Sequence, residues 1–195
     1  FKTTEKFVNK FGKERIRNTP ITESAVIGTA MGLSIEGYKP IVEMQFADFV
    51  SDGFNQIVNN LAKTYYRWGQ PINVTLRMPT GGAIGAGPFH SQNTESWFFH
   101  VPGLKVVYPS NSYDAKGLLI SSIDDPNPIL YFEHKKLYRS VSGEVPTESY
   151  SICLGKAKIV KKGKQLSIIT YGLGVHWAVE YSKDSDCDIE IVDLR

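Results

Sequence analysis

Apolar, β-branched runs alternate with segments of helical periodicity along nearly the whole chain, and this alternation constrains the fold more than any other feature. Pro40 to Phe46, Asn73 to Met78, Leu104 to Tyr108, Ile129 to Phe132, Gln165 to Tyr171 and Asp188 to Asp193 read as strands. Helical patterns fall between them, from Pro20 to about Ile35, Phe49 to Trp68, Ser112 to Ile123 and His176 to Ser182, with a short one from Ser91 to His100. Strands separated by helices are joined by crossovers, which make parallel pairs. The expected fold class is therefore α/β, with a largely parallel sheet and helices on both faces. Lys135 to about Glu148 is polar, contains Gly143 and Pro146, and reads as a linker. The strand–helix–strand unit beyond it is too short to stand alone and reads as the start of a second domain. The boundaries adopted are 1–140, a linker at 141–155, and 156–195.

Within this plan two helices carry specific signals. Thr19-Pro20 has the chemistry of a helix start, Thr as cap and Pro pre-set for the first turn, and Gly37 that of a stop. Ala25, Gly28, Thr29 and Gly32 then share one face made of small residues. Each glycine costs about 1 kcal/mol relative to Ala in a helix, so close approach of another backbone is the expected compensation. That backbone belongs either to another subunit or to a tight contact within the chain; spacing leaves both open. In the helix from Phe49, residues Phe54, Ile57, Val58 and Leu61 fall on the core-facing side.

Charge and cysteine usage narrow the function. With 22 basic and 20 acidic residues, the chain gives no electrostatic reason to bind nucleic acid or an acidic membrane. Lysines between Lys156 and Lys164 alternate with Ile, Val and Gly, the pattern of a protected edge strand. Cys153 and Cys187 form no CxxC pair, so metal or redox chemistry has no support and a reducing compartment is expected. No apolar run approaches the roughly 20 residues of a membrane span. Hydrophobic residues at 42% and charged residues at 22% exclude a disordered tail or a disulfide-stapled miniprotein. The opening at Phe1 without Met and the strand-like ending Ile191 to Arg195 read as cuts in a longer chain.

Several residues could carry chemistry. The loop Thr80-Gly-Gly-Ala-Ile-Gly-Ala-Gly87 has backbone amides suited to a phosphate, yet it lacks the order of a P-loop or a dinucleotide fingerprint. It also presents His90 beyond the end of a strand, where α/β sheets place ligands; a plain surface histidine is the alternative. Glu23 lies in the first turn of its helix, where the macrodipole alone accounts for a carboxylate. Asp124, Asp125 and Asn127 before Pro128 read as a turn, with an oxygen-rich cation site as the second reading. Asp52-Gly53 through Asn59-Asn60 has too short a spacing for a diphosphate motif and reads as helix.

Nine stretches in order carry a resemblance: Thr19 to Glu23, Glu43-Met-Gln-Phe-Ala-Asp-Phe49, Phe54 to Asn59, Leu76-Arg-Met-Pro79, His90-Ser-Gln92, Pro102 to Pro109, Ala115 to Leu119, Asp125-Pro-Asn-Pro128 and Phe132-Glu-His-Lys135. Together they resemble the beta subunit of thiamine-diphosphate-dependent 2-oxo acid dehydrogenases, branched-chain or pyruvate type, in the transketolase-like superfamily. Ile168 to Gly172 and Ile191 to Arg195 resemble the opening of that subunit's C-terminal domain. The resemblance implies a pyrimidine-binding domain over 1–140, whose first strand and helix would precede Phe1, and a partial transketolase C-terminal-like domain over 156–195.

In such a subunit Glu23 would bond the aminopyrimidine ring of thiamine diphosphate and promote its imino form, making the cofactor its own base. Ile21, Gln45 and Phe49 would line that pocket, Phe49 replacing a Tyr of some relatives. His90 would transfer or orient a proton during reductive acylation of a lipoyl group; an unperturbed imidazole titrates in the right range. A potassium site would draw on the carbonyls of Ile72, Val74 and Ser122 with Thr75, Asp125 and Asn127. Magnesium and the diphosphate would belong to an alpha subunit or alpha-like half. The remaining implied partners are a second beta copy, a lipoyl-bearing acyltransferase and a 2-oxo acid, in the cytoplasm or a mitochondrial matrix. A branched-chain 2-oxo acid is slightly preferred to pyruvate. An acetoin dehydrogenase, another enzyme of the superfamily, or a non-catalytic scaffold of the same fold are the alternatives.

Overall fold

The computed structural model describes residues 4–195, so the opening residues 1–3 fall outside the described part. In chain order the elements are α1 (Phe7–Phe11), α2 (Glu23–Ile35), β1 (Ile41–Glu43), a continuous helical stretch ending in α3 (Ala62–Trp68), β2 (Thr75–Thr80), β3 (Lys105–Val107), α4 (Ser112–Asp124), β4 (Ile129–His134), α5 (Leu137–Ser140), β5 (Lys158–Lys161), β6 (Leu166–Thr170), α6 (Leu173–Asp184) and β7 (Ile189–Asp193).

The first sheet has the strand order β1-β2-β4-β3, with every pair parallel. Its centre is the β2–β4 pair, in register from Thr75 opposite Ile129 to Thr80 opposite His134. The two-residue period of a strand sends alternate side chains to opposite faces. Leu130 and Phe132 of β4 join Leu76 and Met78 of β2 in a core with Ile27, Val50, Ile57 and Leu61. Ile129 and Tyr131 point the other way, against Val107 and Leu118. Both faces are covered by helices, as the alternation of apolar runs requires, and the α/β class with a parallel sheet is the observed one.

α2 begins at Glu23, three residues after the expected start. Thr22 supplies the non-helical boundary (φ −154°, ψ 71°), and its hydroxyl donates to the carbonyl of Pro20 (3.4 Å). The Pro20–Thr22 segment thus closes a local turn instead of a first helical turn. The stop is where glycine placed it: Gly37 adopts φ +89°, and the Tyr38 amide reaches back to the Leu33 carbonyl (3.0 Å). The small-residue face meets no other backbone inside this chain: Gly28 is half-buried against the side chain of Gln56 alone, 3.8 Å from where a methyl group would stand. Ala25, Thr29 and Gly32 are exposed, and a methyl group built on Gly32 would meet nothing within 4 Å. The reading of a tight intrachain contact is therefore overturned.

The stretch after β1 winds in three ways, 3-10 over Ala47–Gly53, π over Gln56–Leu61 and α over Ala62–Trp68. The overwound and underwound turns let Val50, Ile57 and Leu61 all face the core, each side chain contributing about 1.5–3 kcal/mol by burial. Ser91 to His100 forms only the 3-10 turn Glu95–Trp97, not the expected helix, and another 3-10 turn, Pro88–His90, precedes it. Residues 141–157 contain neither helix nor strand, but the linker reading fails at its start. Lys135 is buried and α5 follows it.

The second sheet has the order β5-β7-β6. β6, α6 and β7 form a parallel strand–helix–strand unit, and the lysine-bearing β5 lies at the edge, antiparallel to β7. A polar seam ties this unit to the first. Arg195 donates twice to Asp114 (3.1 and 3.0 Å), and the Ser110 hydroxyl donates to Asp193 (2.6 Å). Asp114 and Asp193 are both fully buried, so these bonds satisfy charges that water cannot reach. Cys153 and Cys187 are free thiols. Among the described residues no helix is long and apolar enough to cross a membrane.

Two glycines with the same backbone sign should respond differently to alanine. Gly103 (φ +95°) would place its new methyl 2.0 Å from the Ala62 carbonyl oxygen, whereas Gly12 (φ +80°) has open space. Gly103→Ala is expected to lose roughly 2–4 kcal/mol and Gly12→Ala about 1 kcal/mol, measured as urea midpoints.

Candidate active site at the carboxyl edge of the first sheet

Because β1, β2 and β4 are parallel neighbours, their carboxyl ends share one edge, and the segments leaving them converge there. From β1 the chain passes through Phe46 into the 3-10 turns that carry Asp48 and Phe49. From β2 it enters the glycine-rich loop and returns through His90 and Gln92. From β4 it passes His134 and Lys135.

The loop is tied at its base. The Gln92 carbonyl accepts from the Gly81 amide (2.9 Å) and from the Thr80 hydroxyl (3.0 Å). Gly81 has φ +79°, and a methyl group there would lie 2.2 Å from Nε2 of His134, so the close approach of loop and strand requires glycine. The loop beyond, residues 83–89, is exposed.

His90 meets two aromatic rings. Its imidazole stands edge-on to Phe46 (4.9 Å between centroids) and to Phe49 (5.5 Å). Behind it Lys135, only 3% exposed, donates from Nζ to the His90 carbonyl (2.9 Å) and lies 5.0 Å from the Phe46 ring centre. Burial draws the Lys135 ammonium below the ordinary lysine range, and the Asp48 carboxylate partly offsets this. Asp48 is also buried; its Oδ1 accepts from the Gln92 amide (2.9 Å), while its Oδ2 has no partner among the described residues. Further along, burial pushes the Glu95 carboxyl up, and one of its oxygens accepts from the Tyr171 hydroxyl (3.3 Å).

Glu23 stands at the opposite end of the same 3-10 turns. A methyl group on Gly53 would meet Ile27 at 2.3 Å and the Glu23 backbone at 3.7 Å, which shows how closely this turn packs on the start of α2. The Glu23 side chain is half-buried and has no hydrogen-bond partner among the described residues. The structure thus brings Phe49 and His90 together, places Glu23 beside the turns that carry Phe49, and leaves Ile21 and Gln45 exposed.

The expected potassium ligands fall into two groups. Thr75 Oγ1 donates to the Ser122 carbonyl (3.2 Å), and the Val74 carbonyl accepts from the Ile129 amide (2.9 Å). Asp125 Oδ1 accepts from the amide and side chain of Asn127 (3.0 and 2.8 Å), which is the turn that the residues predict. Asp125 Oδ2 pairs with Lys105 (2.5 Å), and that contact helps hold its carboxyl below the usual range. Ile72 is buried close by in the chain, before β2.

Phe46, Asp48 and Lys135 were given no role by the sequence reading. The available signal was a charged residue inside each apolar run, in Phe46-Ala-Asp-Phe49 and Phe132-Glu-His-Lys135.

A four-stranded parallel sheet covered by helices, with the segments leaving its strands gathered at one carboxyl edge, defines a mixed α/β domain of the transketolase-like kind. The model of the transketolase pyrimidine-binding domain matches residues 1–141, and the chain belongs to that family. It is 44% identical to the 2-oxoisovalerate dehydrogenase subunit beta of Bacillus subtilis, over all of this chain and 61% of that protein. It is also 44% identical to the pyruvate dehydrogenase E1 component subunit beta of Staphylococcus aureus strain Mu50, over all of this chain and 62% of that one. The chain therefore spans about three fifths of these relatives. A solved structure described as "Split gene transketolase, inactive beta4 tetramer" superposes with a TM-score of 0.76 at 23% identity, over 98% of this chain and 61% of that chain, and supports the fold.

His134 makes the edge sensitive to acid. Burial, with Lys135 and Lys136 nearby, lowers its pKa to about 4, and its Nδ1 accepts from the Lys136 amide (3.2 Å), a bond that needs the unprotonated nitrogen. A histidine lowered on folding adds stability above its unfolded pKa and loses it as pH falls toward the folded value. Between pH 6.5 and 4 the protein should lose up to about 3 kcal/mol through this residue. His134→Gln should flatten that part of the stability–pH curve, measured by denaturant unfolding.

Proposed function

We propose that this chain is the pyrimidine-binding part, with the beginning of the C-terminal domain, of a beta-type component of a thiamine-diphosphate-dependent 2-oxo acid dehydrogenase. The observation that carries the reading is Glu23, a half-buried carboxylate at a helix start with no hydrogen-bond partner among the described residues, set beside the turns that hold Phe49. A carboxylate in that state suits a ring nitrogen of a bound cofactor. Phe49 is half-buried and offers apolar surface, so the residues present fit the aminopyrimidine half of thiamine diphosphate. Glu23 would hold that half by a hydrogen bond, with Phe49, Ile21 and Gln45 around it. The cofactor, when bound, supplies the carbanion chemistry that lets a 2-oxo acid lose carbon dioxide.

His90 would hold or deliver a proton as the acyl group passes to a lipoyl arm. Its imidazole is half-exposed at the edge where such an arm would arrive, and Phe46 and Phe49 set its direction. The diphosphate and magnesium are assigned to an alpha partner or alpha-like half, so activity depends on that partner. A lipoyl-bearing acyltransferase would take the product, in the cytoplasm or a mitochondrial matrix. The exposed small-residue face of α2 suits contact with a second beta copy. A potassium ion would use the carbonyls of Ile72, Val74 and Ser122 with Thr75 and Asn127; Asp125 would join only by releasing Lys105. The domain division follows the same reading, 1–140, 141–155 and 156–195.

The two kinds of relatives are equally identical to the chain, so identity does not separate their substrates. The preference for a branched-chain 2-oxo acid rests on the stretch from His90 to Ser96 and the run from Pro102 to Arg139.

In the full-length protein assembled with its partner, Glu23→Gln should lower decarboxylation of 2-oxoisovalerate by roughly 10²–10⁴-fold while assembly persists. Near-normal turnover would sink the role given to Glu23. Parallel assays with pyruvate decide the substrate preference.

A further inference from the structure

Lys135 and Asp48 form a buried pair of opposite charges whose hydrogen bonds both go to the backbone of one short segment. The ammonium holds the carbonyl of His90 (2.9 Å), and the carboxylate holds the amide of Gln92 (2.9 Å). The segment between is therefore gripped at two points two residues apart, by side chains from different elements, one after β4 and one in the turns after β1. Lys135 is 3% exposed and Asp48 is 5% exposed. Taking both charges out of water is costly, and apolar residues of similar size usually serve stability as well or better. One carboxylate oxygen is even left without a hydrogen bond among the described residues. An arrangement that expensive is poorly explained by packing. What it achieves is direction: with the backbone of residues 90–92 fixed, the imidazole stands edge-on between Phe46 and Phe49. Phe46 is itself held in the same arrangement, since the ammonium lies over its ring (5.0 Å).

We propose that Lys135 and Asp48 are positioning residues, which clamp the backbone of residues 90–92 from two sides and thereby aim the His90 imidazole from its loop. The proposal deepens the reading of His90 as the proton-transfer group of acyl transfer and rests on it for its kinetic consequence. The clamp also explains how a histidine at the end of an exposed glycine-rich loop acquires a defined orientation. The loop has four backbone sites at positive φ, Gly81, Ala83, Gly85 and Gly87, and its own bonds tie backbone groups only, the Gly87 carbonyl and the Gln92 carbonyl.

The test uses the full-length protein assembled with its partner and thiamine diphosphate, and combines a mutant cycle with a direct view of His90. Lys135→Met, His90→Ala and the double variant are assayed for acyl transfer to a lipoyl domain. Lys135→Met should lower kcat about ten- to hundredfold while KM for the 2-oxo acid moves less than about twofold. On the His90→Ala background the same change should cost less than about twofold, because the group it aims is gone. Losses that multiply in the double variant would overturn the proposal, since a merely structural lysine behaves that way. Lys135→Arg, which keeps the charge, should recover part of the lost kcat. Should Lys135→Met fail to assemble, Asp48→Ala replaces it in the cycle; it removes the acceptor for the Gln92 amide, and the same non-additivity is expected. Separately, the protein labelled at histidine Cε1 reports the ring currents of Phe46 and Phe49 on His90. The His90 resonance should move when Lys135 is replaced, and an unmoved resonance overturns the clamp. Normal turnover of His90→Ala overturns the role of His90 instead and leaves the clamp to the resonance.

Discussion

Parallel pairing of β2 with β4 is the interaction on which the rest of the structure depends. Six residues of each strand are in register, and both strands are buried almost throughout. Pairing in the same direction brings the ends of the two strands, Thr80 and His134, side by side. β1 joins with the same sense, so three segments that are far apart in the chain leave the sheet at one edge. An antiparallel pair would have sent the glycine-rich loop and Lys135 to opposite ends, and the histidine would have had no lysine beneath it.

Charge is placed around this sheet with a division of labour. On the face opposite the main core, Arg77 bridges Glu43 (3.1 Å) and Glu133 (2.8 Å), so three adjacent strands share one guanidinium. At the seam with the second unit, the Asp114 carboxylate accepts from the Arg195 guanidinium and the Asn111 side-chain amide, and that of Asp193 from the Ser110 hydroxyl and the Arg195 backbone amide. At the carboxyl edge the pattern changes. Asp48 and Glu95 each keep a buried oxygen without a partner among the described residues, and Glu23 keeps a whole carboxylate. Satisfied charges hold the fold, while unsatisfied ones gather where a ligand would come.

Much of the fold was legible because strand and helix periods differ. The buried runs of β2 and β4 and the face of Ile57 and Leu61 are patterns that survive any reasonable choice of boundary. Boundaries were less legible where a local polar bond competes with the helix. The Thr22 hydroxyl turned back to Pro20, so the proline signal three residues upstream marked a turn. The linker was misjudged at Lys135 for a similar reason. A lysine followed by polar residues looks solvated, and nothing local shows that the His90 carbonyl and the Phe46 ring wait above it.

The candidate site divides in the same way. The sequence by itself determined the α/β class, the order of the elements, the carboxylate at the start of α2 and a histidine beyond β2, because each rests on period, capping chemistry or an ordered set of motifs. Only the tertiary structure decided that Phe46 and Phe49 flank His90, that Asp48 and Lys135 grip the segment behind it, and that the small face of α2 meets no other backbone in this chain. Those contacts join residues some forty positions apart. Their energies depend on burial and on the direction of strand pairing, which come into being only when the sheet has formed.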